Sequence, residues 1–558
     1  MIRQFKIFCK NTEEYIDIDG GDSLLDIYET MQTRLPINPI CAKVNNKTEN
    51  LSYPVFGPKM VEYLDASSKE GYRVYIRSLC MMLYKALHDL YPQRRLLVDL
   101  SIAGGYYCIL KHESDQPIDP QLVEALKLRM KQLAEQDITF VRRERLTTDV
   151  IEMFRKQNLP DKVRLLETSG NLYTVFYKLG DVVDSYSGPL APSTGHIKNF
   201  DLIPYKNGML LLGPDRKHTD EVTQPQPQEK LFKALEEHVE FNKIINIADV
   251  GELNRVIRGQ HVPLLINVAE ALHNQKFAKM AADIADRYRQ GGARVVMIAG
   301  PSSSGKTTSA KRLSIQLVTN YIIPKVISLD NYFVDRQHTP RDESGDYDYE
   351  SLYALDLEQF NKDLRDLIDG KEVPMPTYNF ETGQREYKGN TLKLEENNIL
   401  LMEGIHGLNP DLTPQIDPAM KYLVYVSALT TLNIDDHNWI STSDNRLLRR
   451  IVRDFKYRGV NARSTIARWP SVRRGEEKWI FPFQENADAM FNSSLMFELA
   501  VMKEYAMPIL KQVPVNAPEY GEAYRLMRFL DYFESIPQQD VPHTSLLREF
   551  LGGSSFTY

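Results

Sequence analysis

The chain has 558 residues, and at about 150 residues per domain this length predicts three or four domains. Hydrophobic residues make up 42% and charged residues 26%, values of folded globular domains that exclude a disordered chain, a collagen or a coiled coil as the whole protein. The 68 Lys and Arg against 75 Asp and Glu give a net charge of −7, which argues against a chain that mainly coats nucleic acid or an anionic membrane. The four cysteines include no C-x-x-C pair, so neither a disulfide scaffold nor a Cys-rich zinc site is expected.

Neither a signal-peptide core at the N-terminus nor an apolar run of about 18 residues occurs in the sequence. We therefore expect a cytoplasmic protein without membrane contact.

Residues 1–65 predict a small α+β module. Apolar side chains at Phe5, Ile7, Ile16 and Ile18 alternate as in a β-hairpin. Ser23 is placed to cap a short helix with the sequence SLLDIYETM. The segments ICAKVNN and NLSYPVF that follow are predicted to be strands.

Residues 66–225 predict a second α+β domain. Its helices are expected in RSLCMMLYKALHDLYP and VEALKLRMKQLAEQ, where apolar residues recur at helical spacing. A polar, Pro- and Gln-rich linker is predicted near residues 218–230. Residues 226–290 have a helical pattern and are assigned to a connector.

Residues 291–558 alternate short apolar strands with helical segments. The strands are expected in VVMIAG, KVISLD, ILLMEG and LVYVSA, and one of the helices in LEQFNKDLRDLIDG. This alternation predicts an α/β domain with a parallel sheet and crossover helices.

The segment GPSSSGKTT, between the strand VVMIA and a predicted helix, fits the phosphate-binding pattern G-x-x-x-x-G-K-[ST]. Its backbone N–H groups are expected to surround the phosphates of ATP, with Lys306 on the β- and γ-phosphates and the Thr307 hydroxyl on Mg²⁺. The predicted cofactor-binding residues are Gly300, Ser302, Ser303, Ser304, Gly305, Lys306, Thr307 and Thr308.

Two acidic residues end predicted strands of the same sheet. Asp330 ends KVISLD, and Glu403 ends ILLME. Because the carboxyl ends of parallel strands form the ligand-binding edge, both should face the phosphate loop. They suit a catalytic base and a metal ligand.

The segment from Asn445 to Arg458 is rich in arginine. Arg446, Arg450 and Arg453 share one helical face, where they would neutralise a migrating phosphoryl group.

On these motifs, residues 293–515 resemble the uridine kinase and phosphoribulokinase family of P-loop kinases. The matching segments are GPSSSGKTT, LDNYF, PTYNF, LLMEGI and RLLRRIVRDFKYRG. The resemblance implies that Asp330 is the base for a sugar 5′-hydroxyl and that Glu403 lies near the metal. It also implies that Arg446 holds the ribose together with Glu350, with Asp348 as the alternative acid.

The resemblance further places the aromatic rings of Tyr378 and Phe380 in a base pocket. Gly383 occupies the approximate position of a pyrimidine-reading His in the animal enzymes, and Gln384 or Arg385 is left as the substitute. The candidate substrate-binding residues are Asp330, Tyr332, Glu350, Tyr378, Phe380, Arg385 and Arg446.

The N-terminal half resembles threonyl-tRNA synthetase: residues 1–65 its ubiquitin-like TGS module, residues 66–225 its editing domain. The four His and Cys positions of that editing domain fall on Arg77, Met81, Tyr186 and Leu190. Since Arg and Met cannot replace paired imidazoles, editing hydrolysis is expected to be absent.

Several roles for the N-terminal half remain open. They are RNA contact, for which Arg142, Arg143 and Arg145 are a modest basic cluster, regulation of the kinase, and contact between subunits of a homo-oligomer. The isolated His88, His112 and His196 are expected to be ordinary surface or core residues.

The predicted function is ATP-dependent phosphorylation of the 5′-hydroxyl of a nucleoside, uridine- or cytidine-like. The alternatives are a kinase for a sugar or sugar phosphate, and an RNA-binding or regulatory protein that binds ATP.

Overall fold

The computed structural model describes residues 4–111, 117–342 and 345–557, so that His112 lies outside the described residues. Within these ranges, no helix combines the length and hydrophobicity that a bilayer span needs.

The first module is a mixed sheet covered by one helix. The sheet has the order β2-β1-β5-β3-β4, and Ser23 caps the helix by accepting a hydrogen bond from the Asp26 N–H. Its elements are β1 (Gln4–Cys9), β2 (Glu14–Asp19), α1 (Leu24–Met31), β3 (Cys41–Val44), β4 (Lys47–Glu49) and β5 (Met60–Leu64).

The predicted hairpin and helix of this module are confirmed, whereas the strand predicted in NLSYPVF is wrong. Residues 50–56 form turns with a single bridge between Ser23 and Pro54. Pro54 has no N–H for a ladder, and the chain pairs only from β5 onward, parallel to β1.

The second domain packs two antiparallel sheets around a long central helix. The sheets have the orders β11-β12-β7-β6 and β10-β9-β8. The helix α2 is buried at nearly every position from Val74 to Leu87. The elements are α2 (Lys69–Leu90), β6 (Leu96–Ile102), β7 (Gly105–Leu110), α3 (Pro120–Gln136), β8 (Val141–Leu146), α4 (Thr147–Lys156), α5 (Pro160–Thr168), β9 (Tyr173–Leu179), β10 (Val182–Asp184), β11 (Asp201–Tyr205) and β12 (Gly208–Leu212).

Three helices follow the predicted linker: α6 (Glu229–Ile245), α7 (Val250–Arg258) and α8 (Val262–Arg289). The last of them is more than a connector. Phe277, Met280 and Ile284 of α8 pack into the apolar core beneath the following sheet. The domain boundary predicted at residue 290 therefore falls inside a packed layer.

The C-terminal domain is built on a five-stranded parallel sheet with the order β14-β17-β13-β18-β19, which confirms the predicted α/β architecture. Its elements are β13 (Val295–Ala299), α9 (Lys306–Thr319), β14 (Ile323–Ser328), α10 (Leu357–Ile368), β15 (Val373–Asn379), β16 (Gln384–Leu392), β17 (Asn398–Glu403), β18 (Lys421–Ser427), α11 (Thr442–Arg458), α12 (Ala462–Trp479), β19 (Ala489–Asn492), α13 (Glu498–Leu510), α14 (Tyr520–Leu530) and α15 (Arg548–Leu551).

The segment between β18 and α11 joins this domain to the second one; we call residues 433–440 the docking segment. The fully buried Lys162 on α5 binds Asp435 of the segment at 2.9 Å and Asp184 at 2.7 Å. His437 Nδ1 lies 2.7 Å from Asp184, and the Val98 N–H donates to the Asp436 carbonyl. The two domains thus share a buried ionic and hydrogen-bonded contact.

Candidate functional site

The phosphate loop joins β13 to α9 at the carboxyl edge of the parallel sheet. Gly300 lies so close to the backbone of β18 that a Cβ there would be 1.9 Å from the Val426 carbonyl oxygen. Ser303 and Gly305 adopt left-handed backbone conformations, with φ of 58° and 88°. The predicted strand–loop–helix arrangement is thereby confirmed.

Two carboxylates hydrogen-bond to the amides of this loop. Glu476 of α12 accepts from the Ser302 N–H at 3.0 Å. Glu549 of α15 accepts from the Thr308 N–H at 3.2 Å and from its hydroxyl at 2.6 Å. Since two acidic side chains already bind there, the loop and the start of α9 suit an anion such as the triphosphate of ATP.

Two buried arginines of α11 donate hydrogen bonds to backbone carbonyls of the phosphate loop. The fully buried Arg446 forms a bidentate pair with Glu476 and donates to the Ser302 carbonyl. Arg449, also buried, pairs with Glu498 and donates weakly to the Ser303 and Ser304 carbonyls at 3.4 Å. These contacts fix the carbonyls of Ser302, Ser303 and Ser304 on the side of α11.

Arg446 therefore lies in a different place from the one implied by the sequence. The resemblance implied a ribose contact, but the guanidinium is 1% exposed and is held by Glu476 and Ser302. In this structure Arg446 contacts the phosphate loop and does not face the cleft.

Lys306, Asp330 and Glu403 come together at the ends of adjacent strands. Glu403 is paired in register with Ser328 of β14 and with Ile298 of β13, and its carboxylate accepts a hydrogen bond from the Ser328 hydroxyl at 3.1 Å. Asp330 follows β14, and its side chain is accessible from the cleft although the surrounding protein restricts its hydration. The positive charge of Lys306 favours the ionised form of both carboxylates.

The pKa values of the cleft acids are raised, because the walls exclude water from the carboxylates. Desolvation raises the pKa of Glu403 to about 7, with Asp330 adding repulsion, although Lys306 opposes the shift. The pKa of Glu350 is likewise raised to about 7, against the opposing charge of Arg450. The pKa of Asp330 is raised by desolvation and lowered by Lys306, Arg458 and Arg453. Acids with raised pKa values in a cleft are typical of catalytic sites.

Arg450 and Glu350 close the cleft on the side of α11 and α12. Arg450 donates to the Ser302 hydroxyl at 3.0 Å and is paired with Asp454 at 3.2 Å. Glu350 packs against Gly475 so tightly that a Cβ at residue 475 would lie 2.3 Å from the Glu350 Cβ. Arg450 thus contacts the phosphate loop, and Glu350 lies against α12 within electrostatic range of Arg450 and Lys306.

The predicted substrate aromatics divide between the core and the surface. Tyr332 is only 1% exposed, and its hydroxyl is 3.2 Å from Asp363, so its prediction as a substrate contact is wrong. Tyr378 is also buried and packs on Phe333, whereas Phe380 at the tip of the β15–β16 hairpin is exposed.

Arg385 of β16 is paired with a carboxylate in this structure. Its guanidinium is 2.9 Å from Asp356. The ion pair neutralises the cation that sequence reasoning left as a substitute for the missing His.

The residues that sequence reasoning missed are Glu476, Glu498 and Glu549. The first two support the loop through Arg446 and Arg449, and Glu549 reaches it from the C-terminal tail. No local motif marks them, because their partners Arg446, Arg449 and Thr308 lie 30, 49 and 241 residues away in the sequence.

Two of the four degenerate editing positions, Arg77 and Met81, lie on α2, and the other two, Tyr186 and Leu190, lie in the segment after β10. Met81, Tyr186 and Leu190 are buried, and Arg77 is half-buried. The Arg77 guanidinium donates to the Pro189 carbonyl at 3.1 and 3.2 Å.

Comparison with known proteins agrees with this division of the chain. Residues 295–498 match the model of the phosphoribulokinase / uridine kinase family. The threonine–tRNA ligase of Desulforamulus reducens is 29% identical over 184 residues, which are 33% of this chain and 29% of that protein. The enzyme of Clostridium kluyveri is 29% identical over 199 residues, 36% of this chain and 31% of the relative. The chain thus spans about three tenths of the length of these curated relatives.

Two solved structures are similar to part of the chain. One is described as a possible uridine kinase from Bacillus stearothermophilus, with 22% identity, a TM-score of 0.24, and coverage of 36% of this chain and 89% of that one. The other is D-glycerate 3-kinase from Cryptococcus neoformans, with 13% identity, a TM-score of 0.21, and coverage of 48% and 89%. The resemblance predicted from the sequence is confirmed by the family match and the curated relatives: the C-terminal region carries a phosphoribulokinase / uridine kinase family domain, and the N-terminal region matches threonine–tRNA ligase.

Proposed function

We propose that the protein is an ATP-dependent kinase that phosphorylates the 5′-hydroxyl of a uridine- or cytidine-like nucleoside. The observation that carries this proposal is the convergence of Lys306, Asp330 and Glu403 at the carboxyl ends of β13, β14 and β17. An accessible acid beside a phosphate loop is suited to activate an alcohol.

In this proposal Asp330 accepts the proton of the hydroxyl as its oxygen bonds to the γ-phosphorus of ATP. The bond from that phosphorus to the β–γ bridging oxygen breaks, and ADP leaves. Lys306 and Arg450 neutralise the oxygens of the transferring group.

Mg²⁺ fits the oxygen donors at the site. The Thr307 hydroxyl and the Glu403 carboxylate would hold it, and the ion would neutralise phosphate charge when bound. Glu350, with Asp348 beside it, is proposed to bind the ribose hydroxyls. Of the two aromatic residues predicted for the base pocket, Phe380 is exposed and accessible to a base, whereas Tyr378 is buried.

Arg446 acts in this proposal as a positioning residue, through its contacts with Ser302 and Glu476. We propose that residues 1–65 are a TGS-like module, 66–225 an editing-like domain without the editing residues, and 291–558 the kinase. Of the predicted helical connector 226–290, α8 also packs against the kinase sheet.

A sugar phosphate is a weaker candidate for the acceptor. A second phosphate on the acceptor needs unpaired cations near the hairpin, and Arg385 is already bound to Asp356. A neutral sugar remains the second acceptor class.

The decisive assay measures ADP release from Mg-ATP with a panel of nucleosides, pentoses and pentose phosphates. Turnover with a pyrimidine nucleoside is the expected result. Turnover with a sugar alone would reassign the acceptor. Tight, salt-sensitive RNA binding without acceptor-dependent turnover would replace the kinase with the RNA-binding alternative.

The raised pKa values of Glu403 and Glu350 predict how the rate depends on pH. Both are raised to about 7 from a usual value of 4.5, so these side chains take up protons as the pH falls below 7. Because metal and ribose binding need the ionised forms, kcat/KM should fall about tenfold or more per unit between pH 6.5 and 5.5. A pH–rate profile measures this acid limb. A limb that begins only near pH 4.5 would contradict the assignment.

Glu549 predicts an effect on ATP affinity. Its carboxylate binds the Thr308 N–H and hydroxyl, which are groups expected to meet a phosphate. Glu549→Gln should therefore lower the KM for ATP about fivefold, or about 1 kcal/mol, with little change in kcat. Glu504→Gln, at an exposed site on α13, is the control. A higher KM in Glu549→Gln would instead show that the carboxylate supports the loop.

A further inference from the structure

A cavity lies between the editing-like domain and the kinase domain. It has a volume of about 370 Å³. One wall comes from α2, β8, β9 and residues 185–189, together with residues 48–50 of the first module, and the other from residues 434–444 and α14. Residues that line it from the two sides include Arg77, Arg142, Tyr177, Asn438, Asp444 and Arg525. The volume is in the range of small-molecule sites.

Most charges on its wall are already paired. Glu522 binds Arg73 at 2.7 Å and Lys69 at 3.0 Å. Asp444 binds Arg525 through two hydrogen bonds of 2.7 and 2.8 Å. These clusters leave little net charge for a ligand.

Among the described residues, four charged side chains of the wall form no ion pair: Glu49, Arg142, Glu144 and Arg77. Of these, Arg77 lies on the buried helix α2. Its guanidinium donates only to the Pro189 carbonyl, and no carboxylate among the described residues lies within ion-pairing distance of it. Surrounding protein lowers its pKa to about 10, with Arg73 adding repulsion. Gly188, with φ of 146°, lets the backbone approach so closely that a Cβ there would lie 2.9 Å from the Arg77 Cζ. Among the described residues the Arg77 cation thus has no carboxylate paired with it, although Glu49 and Glu144 line the same cavity.

We propose that this cavity is a second ligand site that binds a small organic anion, whose phosphate or carboxylate is held by Arg77. Enclosing a guanidinium without a counter-ion costs desolvation free energy. A phosphate or carboxylate, which accepts two parallel charge-assisted hydrogen bonds from a guanidinium, offsets that cost. The aromatic rings of Tyr173 and Trp439 on the wall offer contact to the rest of the molecule.

The cavity wall leads along the chain into α11, the helix whose arginines contact the phosphate loop. Asn438 donates to the Ser185 carbonyl at 2.9 Å, and its side-chain oxygen accepts from the Ser187 N–H at 3.2 Å. Six residues beyond it, Asp444 lies in the first turn of α11, the helix that carries Arg446 and Arg449. Ligand binding beside Asn438 and Asp444 is therefore expected to change the KM for ATP, a consequence that rests on the proposed kinase function.

Binding can be tested without any turnover. The experiment uses the full chain with the substitution Lys306→Ala, which weakens anion binding at the phosphate loop and so reduces its contribution to the signal. Titration calorimetry then measures the binding of inorganic phosphate, citrate and uridine monophosphate. We expect one of these to bind at a stoichiometry of one per chain. The phosphate and citrate arms distinguish the two kinds of anion.

Adding Arg77→Gln to that chain should weaken binding at least tenfold, and Arg77→Lys should retain part of it. Arg143→Gln, at an exposed site on the same strand as Arg142, is the control and should leave binding unchanged. If Arg77→Gln does not fold, Arg142→Gln provides the second test, with an expected loss of several-fold. Absence of binding by all three probes, or binding that survives both Arg77→Gln and Arg142→Gln, would overturn the proposal.

Discussion

Replacing Asp330 with Asn is expected to lower kcat about a thousandfold while Mg-ATP still binds. Asp330 lies after β14, accessible from the cleft, and its carboxylate is the proposed acceptor of the hydroxyl proton. Asn keeps the shape of the side chain but cannot accept that proton. Steady-state ADP release gives kcat, and the binding of a fluorescent ATP analogue gives the affinity.

The matched control for this variant is Asp369→Asn, which removes an exposed carboxylate at the end of α10. It should change kcat less than twofold. Asp330→Glu, which keeps the carboxylate but moves it, should recover part of the rate. An Asp330→Asn enzyme with more than a tenth of the parent kcat would remove Asp330 from the role of base.

The parts of the site that depend on local sequence were predictable. The phosphate loop is a contiguous motif with a strand before it and a helix after it. Asp330 and Glu403 were predictable because each ends an apolar strand, and parallel strands end at one edge of the sheet.

The supports of the loop could not be predicted from such patterns. Glu549 contacts Thr308 across 241 residues, and Glu476 reaches Ser302 across 174. A single acidic residue in an amphipathic helix is indistinguishable from a surface charge until the helices pack. The position of Arg446 could not be predicted for the same reason. An arginine at this helical spacing suits a ligand contact, but in the structure its guanidinium is buried against Glu476.

The boundary between the helical connector and the kinase domain could not be predicted for a related reason. The apolar face of α8 predicts a helix but does not identify the sheet against which the helix packs. The docking segment is polar, and from the sequence alone it is typical of a solvated loop. Its burial depends on Lys162, which lies far away in the chain.

The docking segment predicts the largest effect on stability. Lys162→Met should lower the free energy of unfolding by about 3–5 kcal/mol, because it leaves buried carboxylates without their cation. Lys162 is fully buried, 2.7 Å from Asp184 and 2.9 Å from Asp435. It also donates to the Ser185 carbonyl at 3.2 Å. Urea denaturation followed by circular dichroism measures the loss.

The effect should also reach the kinase, because the docking segment leads directly into α11. We expect Lys162→Met to raise the KM for ATP, since Arg446 and Arg449 position the phosphate loop from that helix. The control is Lys127→Met, which breaks a partly exposed pair with Asp201 at 2.6 Å and should cost less than about 1 kcal/mol.

A double variant, Lys162→Met with Asp435→Asn, distinguishes the loss of stability due to unpaired charge from the loss due to altered packing. Removing one of the uncompensated carboxylates should recover part of the lost stability, since the remaining imbalance is smaller. If Lys162→Met costs no more than Lys127→Met, the buried contact does not hold the two domains together. The kinase domain would then bind ATP independently of the N-terminal half, and truncation before α6 would leave the KM for ATP unchanged.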